Sequence, residues 1–182
     1  MIVIMFEEID RFLAGVPRRH FAFHAGEAVF RLGDSINLLH FVTGGTVNLV
    51  RHQVGGAPII LQRAQPGAVL AEASLYSERY HCDAVAITEA RTWAVAKEQL
   101  LRRLTSNAKF GQAWAQRLAH ELQRARFQVE VVAMNKVAAR LDAWIAAYGP
   151  MPPKGEWVRL AAEIGVTPEA LYREIAKRHR RA

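Results

Sequence analysis

Between residues 21 and 95, apolar residues occur in short runs that either alternate with polar residues or follow one another directly. Pairs of turn-forming residues separate these runs at nearly even spacing: Gly26-Glu27, Gly33-Asp34, Gly44-Gly45, Gly55-Gly56 and Pro66-Gly67. Such β-rich runs, divided by regular turn signals, are typical of antiparallel sandwiches and barrels. The pattern therefore predicts an N-terminal β-domain over residues 1–106, in which the last strand ends near Ala96.

The spacing of apolar residues changes to that of a helix on both sides of this sheet region. Residues 7–15 predict a short amphipathic helix with Ile9, Phe12 and Leu13 on one face. After the last strand, the sequence from Lys97 to Leu104 predicts a second short helix. The β-domain therefore carries a helix at each end.

A long helix is predicted over residues 107–134, with Asn107 as its N-cap and no proline inside it. Apolar residues on this helix follow one another at intervals of four, three, four and three positions, which is the spacing of a coiled-coil seam. The seam consists of Leu118, Leu122, Ala125, Val129 and Val132. We interpret this segment as a dimerisation helix.

A second apolar set on the long helix faces a different direction. It consists of Phe110, Ala113, Trp114 and Phe127, which we expect to pack on the β-domain. A helix that is apolar on two sides needs two partners, so the seam is interpreted as a homodimer contact. Burial of both faces within one subunit is the alternative, although few other segments are free to cover the seam.

Residues 135–182 predict a separate helical domain. A helix from Lys136 to Tyr148 comes first, and a proline-rich loop separates it from a shorter amphipathic helix, Glu156 to Ile164. A second amphipathic helix extends from Pro168 to Lys177.

The break between the last two helices contains both an end signal and a start signal. Gly165 supplies the left-handed residue that ends many helices, Thr167 is an N-cap, and Pro168 suits the first helical position. Two short helices joined by such a break predict a helix-turn-helix, in which the second helix enters the DNA major groove. An ordinary helical hairpin is the alternative.

The charge of the chain favours a polyanionic partner. Lysine and arginine outnumber aspartate and glutamate by 24 to 17, and the net charge is +7. Basic residues crowd the end of the predicted second helix: Arg173, Lys177, Arg178, Arg180 and Arg181. A cluster at this place fits contact with DNA phosphates, and a solubilising tail is the alternative.

The single cysteine, Cys82, excludes an internal disulfide, a four-cysteine zinc site and a cysteine-ligated iron–sulfur cluster. The apolar start from Met1 to Phe6 is too short for a signal peptide, and no apolar run is long enough to span a bilayer. We therefore expect a soluble, cytoplasmic protein with no membrane partner.

The order of β-domain, dimer-type helix and helix-turn-helix resembles the CRP/FNR family of bacterial transcription regulators. Besides the C-terminal motif, the resemblance rests on Gly26-Glu27, Phe30, Gly33-Asp34, Phe41-Val42, Gly45, Val47, Leu49, Pro66-Gly67, Glu72 and Ala84. It implies an α+β protein with an antiparallel jelly-roll β-barrel similar to the cyclic-nucleotide-binding domain. It also implies a homodimer, binding to double-stranded DNA, RNA polymerase as a further partner, and a small-molecule effector.

The resemblance implies a set of DNA-contacting positions around the second helix of the motif. Carried over by position, they are Thr167, Pro168, Glu169, Tyr172, Arg173 and Lys177. Glu169 can accept from a cytosine amino group, and Arg173 can bond a guanine through two N–H groups. Pro168 stands where the family has an arginine, so we expect a different preferred site. The alternative for Glu169 and Arg173 is an ion pair within the helix.

The resemblance also implies an effector site, and this sequence departs from it. The matching positions are Glu72, Ser74, Tyr80 and His81. Cyclic-nucleotide binders of this fold place an arginine against the cyclic phosphate, whereas Tyr80 or His81 occupies that place here. Burial of a phosphate without a bidentate cation is costly. Cyclic AMP is therefore not the expected effector, and the effector, if one exists, is left open.

Other kinds of site find little support in the residues. His81 and Cys82 are adjacent, and neighbouring residues of a strand point to opposite faces, so they would not grip one metal ion. The remaining histidines lack the spacing of metal ligands, and no nucleophile elbow, P-loop or convincing carboxylate pair is present. We therefore predict neither a metal site nor an enzyme.

One further departure concerns the end of the DNA-binding domain. In the family a two-stranded wing follows the second helix, and no such segment is evident before Ala182. Either Lys177 to Arg181 replace the phosphate contacts of the wing, or the sequence is a shortened form. The alternative function is a sensor or interaction module of this fold that has lost DNA binding.

Overall fold

The computed structural model describes residues 2–52 and 58–180. The predicted turn at Gly55-Gly56 and the basic residue Arg181 lie outside the described residues. The chain forms two compact units, Met1–Arg117 and Leu118–Ala182. In the described part of the chain, no helix is long and apolar enough to cross a membrane.

In the residues that the structure describes, the N-terminal unit contains seven antiparallel strands. These are β1 (Arg19–Phe23), β2 (Ala28–Phe30), β3 (Leu38–Gly44), β4 (Val47–His52), β5 (Pro58–Ala64), β6 (Asp83–Ala86) and β7 (Ala90–Ala96). One sheet has the strand order β1-β7-β3, and the other has the order β2-β6-β4-β5. The predicted antiparallel jelly-roll is confirmed, and its last strand ends at Ala96 as expected. The two sheets do not close into the barrel that was predicted.

The core of this unit includes continuous runs of buried residues rather than strictly alternating ones. In β3 and β4 the apolar side chains are buried except for the half-buried Leu38, and aromatic rings join neighbouring elements. Phe41 stacks on Trp93 with 3.9 Å between ring centroids, and Phe30 stacks on Tyr80 at 3.7 Å. Stacked aromatic pairs bury a large apolar area with defined geometry, so these two pairs fix how the elements pack.

A glycine at the β3–β4 turn is required by both conformation and space. Gly45 has a φ of +74°, and a Cβ atom added there would lie 2.0 Å from the carbonyl oxygen of Glu89. An L-amino-acid side chain at this position would therefore be strained and would also collide with the neighbouring backbone. The predicted Gly44-Gly45 turn is thus explained by a close approach of two chain segments.

One polar side chain in the core is a histidine. His40 lies on β3, is buried, and shares a hydrogen bond of 3.1 Å between its Nδ1 and the Thr92 hydroxyl. The ring of Phe21 lies 5.1 Å from the imidazole. Burial, and to a lesser extent the charge of Arg19, lower the pKa of His40 to about 4. The imidazole is therefore neutral near pH 7.

Three helices accompany the sheets. They are α1 (Ile2–Phe12), α2 (Lys97–Ser106) and α3 (Ala108–Ala133). The first begins five residues earlier than the predicted helix at 7–15, and the other two agree closely with the predicted bounds. Asn107 caps α3 as predicted, since its Oδ1 accepts from the backbone N–H of Phe110 at 3.0 Å.

The second apolar set on α3 divides between the two units. Phe110, Ala113 and Trp114 are buried in the N-terminal unit, and the Phe110 ring lies 5.3 Å from that of Phe12. Phe127, in contrast, packs against the core of the C-terminal unit. The prediction that Phe127 packs on the β-domain was therefore wrong, because this part of α3 belongs to the C-terminal unit.

The C-terminal unit consists of the end of α3 and three further helices, α4 (Val137–Tyr148), α5 (Trp157–Glu163) and α6 (Pro168–His179). Their bounds agree with the predicted helices within a few residues. The core of this unit contains Val131, Leu141, Trp144, Leu160, Ala161, Ile164, Leu171 and Ile175. The indole N–H of Trp144 donates to a Glu163 carboxylate oxygen at 2.9 Å. This bond satisfies a polar group that would otherwise be buried alone.

Candidate functional site

The turn between α5 and α6 has the predicted end and start signals. Gly165 has a φ of +64°, and the N–H of Val166 reaches back to the carbonyl of Ala161 at 2.9 Å, which closes α5 in a Schellman motif. The Thr167 hydroxyl accepts from the N–H of Ala170 at 3.2 Å, with Pro168 at the first helical position. Both predicted caps are present, so the start of α6 is firmly defined.

Helix α6 has one buried face and one exposed face. Leu171 and Ile175 point into the core of the unit. Five of the six predicted DNA-contacting residues are exposed, namely Thr167, Glu169, Tyr172, Arg173 and Lys177, and Pro168 is half-buried. The structure therefore brings these side chains together at the start and on the outer face of one helix, where a large partner can reach them. Their contact with DNA stays a prediction.

Glu169 and Arg173 do not form the ion pair that was considered as an alternative. No salt bridge among the described residues joins these two side chains. The pKa of Glu169 is lowered, chiefly by hydrogen bonding to its own backbone N–H and the Thr167 hydroxyl and to a smaller extent by the charge of Arg173. Arg173 Nε lies 3.4 Å from the Glu169 carbonyl oxygen, which is a long hydrogen bond. The Arg173 guanidinium therefore has little to hold it in place.

Tyr172 is held by an aromatic neighbour. Its ring lies 5.5 Å from the ring of Trp157, the first residue of α5, and 37% of Tyr172 is exposed. The indole N–H of Trp157 donates to the backbone carbonyl of Pro152 at 3.0 Å. The hydroxyl end of Tyr172 is therefore carried on a supported ring rather than on a freely rotating side chain.

The basic cluster at the end of α6 is not uniformly available to a partner. The Arg178 guanidinium donates to Asp142 at 2.7 Å, to Glu174 at 3.0 Å and to the carbonyl of Ala138 at 3.0 Å. These contacts pin α6 to α4. The expectation that Arg178 contacts phosphate therefore needs correction, because its cationic group is committed within the protein. Lys177 and Arg180 are exposed.

A shallow groove lies along α6 beside the exposed face. It has a volume of about 250 Å³ and is lined by Val137, Ala170, Arg173, Glu174 and Lys177. Arg173 and Lys177 therefore lie in one groove together with Val137, the first residue of α4. A negatively charged surface laid on α6 would therefore meet Arg173 and Lys177 together.

Four of the five residues of the predicted seam of α3 are exposed in the single chain, and the fifth, Leu118, is half-buried. Leu122, Val129 and Val132 are 52%, 67% and 43% exposed, and Ala125 is also exposed. The opposite side of the helix is covered, since Val131 is buried in the C-terminal core. Sequence reasoning missed Val131, which lies next to the seam residue Val132. Large apolar residues left exposed in a row mark an interaction surface.

The predicted effector residues Ser74 and His81 lie in contact. The Ser74 hydroxyl and His81 Nδ1 are joined by a hydrogen bond, with Ser74 buried and His81 half-buried. Arg51 on β4 donates from Nη2 to the His81 carbonyl at 2.9 Å. Burial and the nearby Arg51 lower the pKa of His81. Sequence reasoning missed Arg51, because only the pairing of β4 with β6 brings it here.

Tyr80 belongs to the core rather than to an open site. Its hydroxyl donates to the carbonyl of Leu38 at 2.6 Å, its ring stacks on Phe30, and burial raises its pKa to about 12. This packing favours a structural role over ligand contact. Arg79, the nearest arginine in sequence, donates to the carbonyl of Gly33 at 2.8 Å. Cys82 is buried, and burial raises the pKa of its thiol.

The residue before Glu72 has an unusual backbone conformation. Ala71 has a φ of +53°, and among the described residues it is the only one other than glycine with a positive φ. The left-handed conformation costs an L-residue about 1–2 kcal/mol, and a glycine would adopt it without that cost.

Ala71→Gly is expected to be less destabilising than Ala84→Gly by about 1–2 kcal/mol in the free energy of unfolding. Both alanines are buried in the same core. Both changes remove one methyl group and increase the conformational entropy of the unfolded chain. Only the change at Ala71 also removes a left-handed alanine. Denaturant unfolding of the two variants measures the difference, and equal losses would show that Ala71 is not strained.

The described ranges, 2–52 and 58–180, contain no group of three or more His, Cys, Asp or Glu side chains that could hold a metal ion. One pair of such side chains lies at the end of β4. There His52 Nε2 lies 3.7 Å from Asp83, and the other Asp83 oxygen accepts from the N–H of Leu32 at 2.7 Å. The Asp83 carboxylate thus has a structural task in joining two chain segments.

Comparison with known proteins covers both units. Residues 20–107 match the sequence profile of the cyclic nucleotide-binding domain. FixK2 from Bradyrhizobium japonicum is 19% identical with a TM-score of 0.68, over 91% of this chain and 86% of that one. The c-di-GMP-responsive global regulator CLP of Xanthomonas campestris is 20% identical with a TM-score of 0.63, over 95% and 91%.

The catabolite activator protein of Thermus thermophilus is also similar. It is 26% identical with a TM-score of 0.56, over 94% of this chain and 82% of that one. No curated protein sequence matches the chain. The likeness to solved structures therefore extends over nearly the whole chain. The profile match covers residues 20–107, which extend from β1 through α2 to the residue before α3.

Proposed function

Because the chain carries a cyclic nucleotide-binding domain and has the fold of CRP/FNR-family transcriptional regulators, we propose that it is a DNA-binding transcription regulator that acts as a homodimer. The α5–α6 pair is the helix-turn-helix, and α6 is the recognition helix. One observation carries the proposal. The residues expected to contact DNA stand at the start and on the outer face of α6, opposite the buried Leu171 and Ile175.

The charges and caps of α6 support this role. Glu169 is exposed in the first turn of the helix, and Arg173 follows one turn later with a loosely held guanidinium. A guanidinium can bond guanine O6 and N7 together. Lys177 and Arg180 supply exposed cations at the far end of α6, where phosphate contacts orient a helix in the groove.

Dimerisation would present two such helices to one DNA duplex. The exposed seam residues of α3 form an apolar row that a second copy of α3 would cover. A two-fold pair of recognition helices fits a palindromic site with half-sites about 34 Å apart, one turn of the duplex. The proposed target is therefore a palindromic operator rather than a single asymmetric site.

The effector of this regulator is proposed to be something other than a cyclic nucleotide. Tyr80 is packed into the core, and Arg79 donates to Gly33. Arg51 is the cation nearest the Ser74–His81 pair, and it donates to the His81 carbonyl. None of these groups stands as a free guanidinium in the place of the family's phosphate-binding arginine, so a cyclic phosphate would lack its usual bidentate partner.

The experiment that tests the function is selection of bound sequences from a random DNA pool by the full chain, followed by gel shifts over a range of salt concentrations. We expect an enriched palindrome, with affinity that falls as salt rises because counterions are released from phosphates. Binding that enriches no sequence and stays constant as salt rises would overturn the proposal. It would favour a sensor or interaction module of the same fold.

Arg173→Ala is expected to cost about 1–3 kcal/mol of binding free energy for each half-site of the selected operator and to relax specificity at one base pair of each half-site. Lys177→Ala is the matched comparison, because it removes an exposed cation of the same helix. It should weaken binding equally on all sequences and reduce the salt slope by about one for each half-site. Equal loss on every sequence for Arg173→Ala would identify Arg173 as a phosphate contact.

A further inference from the structure

One arginine joins the end of the long helix to the turn of the helix pair. Arg140, on α4, is half-buried. Its Nε donates to the carbonyl of Met134 at 2.7 Å, and its Nη2 donates to the carbonyl of Val132 at 2.8 Å. Its Nη1 donates to the carbonyl of Gly165 at 2.6 Å and to that of Ile164 at 3.2 Å. A single guanidinium therefore binds four carbonyl oxygens from two chain segments.

These carbonyls are ones that the helices themselves leave without partners. Val132 and Met134 lie at the C-terminal end of α3, and Ile164 and Gly165 follow the last residue of α5. The last carbonyls of a helix have no partner within it and carry partial negative charge. Arg140 thus closes the ends of two helices at once. Among the salt bridges of the described residues none includes Arg140, so its charge is matched by carbonyl dipoles.

Two further observations place the turn directly against the end of α3. Gln128 Nε2 donates to the Glu163 carbonyl at 2.6 Å. A Cβ atom added to Gly165 would lie 2.9 Å from Val132 Cγ1 and 3.2 Å from Arg140 Nη1. Val132 belongs to the predicted seam. The turn that precedes the recognition helix therefore rests on a residue at the end of the proposed dimer contact.

We propose that Arg140 is a positioning residue for DNA recognition, which fixes the turn before α6 to the end of the dimer helix. Through this contact it sets the distance and tilt between the two recognition helices of a dimer. The inference rests on the proposed function. A lysine cannot replace Arg140, because one ammonium nitrogen cannot span carbonyls that a planar fork of donors reaches at two helix ends.

The first test measures a distance within the protein in the absence of DNA. Spin labels are attached at Gln123→Cys on α3 and Ala176→Cys on α6, both exposed positions, in a Cys82→Ala background. Labelled chains are diluted with unlabelled chains so that each pair of labels reports a distance within one chain. We expect one narrow distance distribution for the parent protein, and a distribution about twice as wide for Arg140→Ala and Arg140→Lys when the guanidinium bonds are lost.

Two variants serve as controls for this measurement. Arg159→Ala removes an arginine of the same unit whose partners, Glu156 at 2.8 Å and Glu163 at 3.3 Å, lie on or next to its own helix. It should leave the distance distribution unchanged. Gln128→Ala should broaden the distance distribution less than Arg140→Ala does. If the Arg140 variants do not fold, the Gln128→Ala variant still tests the contact between the turn and α3. A parental distribution in both Arg140→Lys and Gln128→Ala would overturn the inference.

The second test measures operator spacing. Operators are made from the selected half-site at separations one and two base pairs shorter and longer than the best, together with an isolated half-site. Arg140→Lys should lose about tenfold or more on the best spacing, as for one lost charged hydrogen bond. Its preference among spacings should flatten, while affinity for the isolated half-site should change less than about threefold.

The outcomes separate the inference from the function that it depends on. A uniform loss on all operators, including the half-site, would mean that Arg140 only stabilises the fold, and it would overturn the positioning role. If the unmodified chain bound no DNA, the proposed function would fail. The distance distribution would then still decide whether Arg140 fixes the turn to α3.

Discussion

Leu122→Asp is expected to raise the dimer dissociation constant by about 100-fold or more. Burying a leucine side chain contributes about 1.5–3 kcal/mol, and a two-fold contact loses two leucines. Half of Leu122 is already covered in the single chain, so the lower end of that range applies to each copy. About 1.4 kcal/mol corresponds to a factor of ten, and two like charges would also face each other across the seam.

Analytical ultracentrifugation over a concentration series measures this change, and circular dichroism checks that the chain is still folded. Gln123→Asp is the matched control, since Gln123 is exposed on the same helix but lies outside the seam. It should leave the dimer intact. A monomeric Leu122→Asp variant should also bind the palindromic operator no better than an isolated half-site. A Leu122→Asp protein that remains dimeric would refute the seam as the interface.

The free energy of unfolding is expected to fall by on the order of 3 kcal/mol between pH 7 and pH 4 through His40 alone. The pKa of His40 is about 4 in the folded protein, against an ordinary value of 6.5. The folded state therefore favours the neutral imidazole, and the unfolded chain binds the proton first. The contribution is fully present above pH 6.5 and is lost as the pH falls from 6.5 through 4.

Denaturant unfolding at a series of pH values tests this expectation. His40→Asn keeps a polar atom near the Thr92 hydroxyl without a group that titrates in this range. The variant should be less stable than the parent at pH 7 but should lose less stability on acidification. Other groups also titrate below pH 5, so the quantity to compare is the difference between the two proteins. His120→Asn, at an exposed position on α3, should behave like the parent.

Local signals were sufficient to predict most of the helices and strands. Turn pairs, caps and apolar spacing act between residues that are close in sequence, and for this reason Gly165, Thr167 and Asn107 were assigned correctly from the sequence. The bounds of β7, α3 and α6 follow from the same short-range chemistry. The sheet topology followed only from resemblance, because the spacing of strands does not say which of them pair.

The errors arose where a side chain reaches beyond its own element. Arg178 was counted as a free cation because its partner Asp142 lies on another helix. Tyr80 was assigned to the effector region through the resemblance, whereas its ring stacks on Phe30, which lies far earlier in the chain. Arg51 and Arg140 were missed for the same reason. Long basic and aromatic side chains have many possible partners, and only the packed fold selects among them.

The single buried thiol, Cys82, can report when the N-terminal unit opens. Cys82 is the one cysteine of the sequence, and it lies in the core with a raised pKa. An alkylating reagent reaches a buried thiol only when the surrounding structure opens, and reaction requires the thiolate. The modification rate therefore follows the opening equilibrium of the sandwich. A ligand that binds this unit would reveal itself by slowing that reaction, whatever its chemical class.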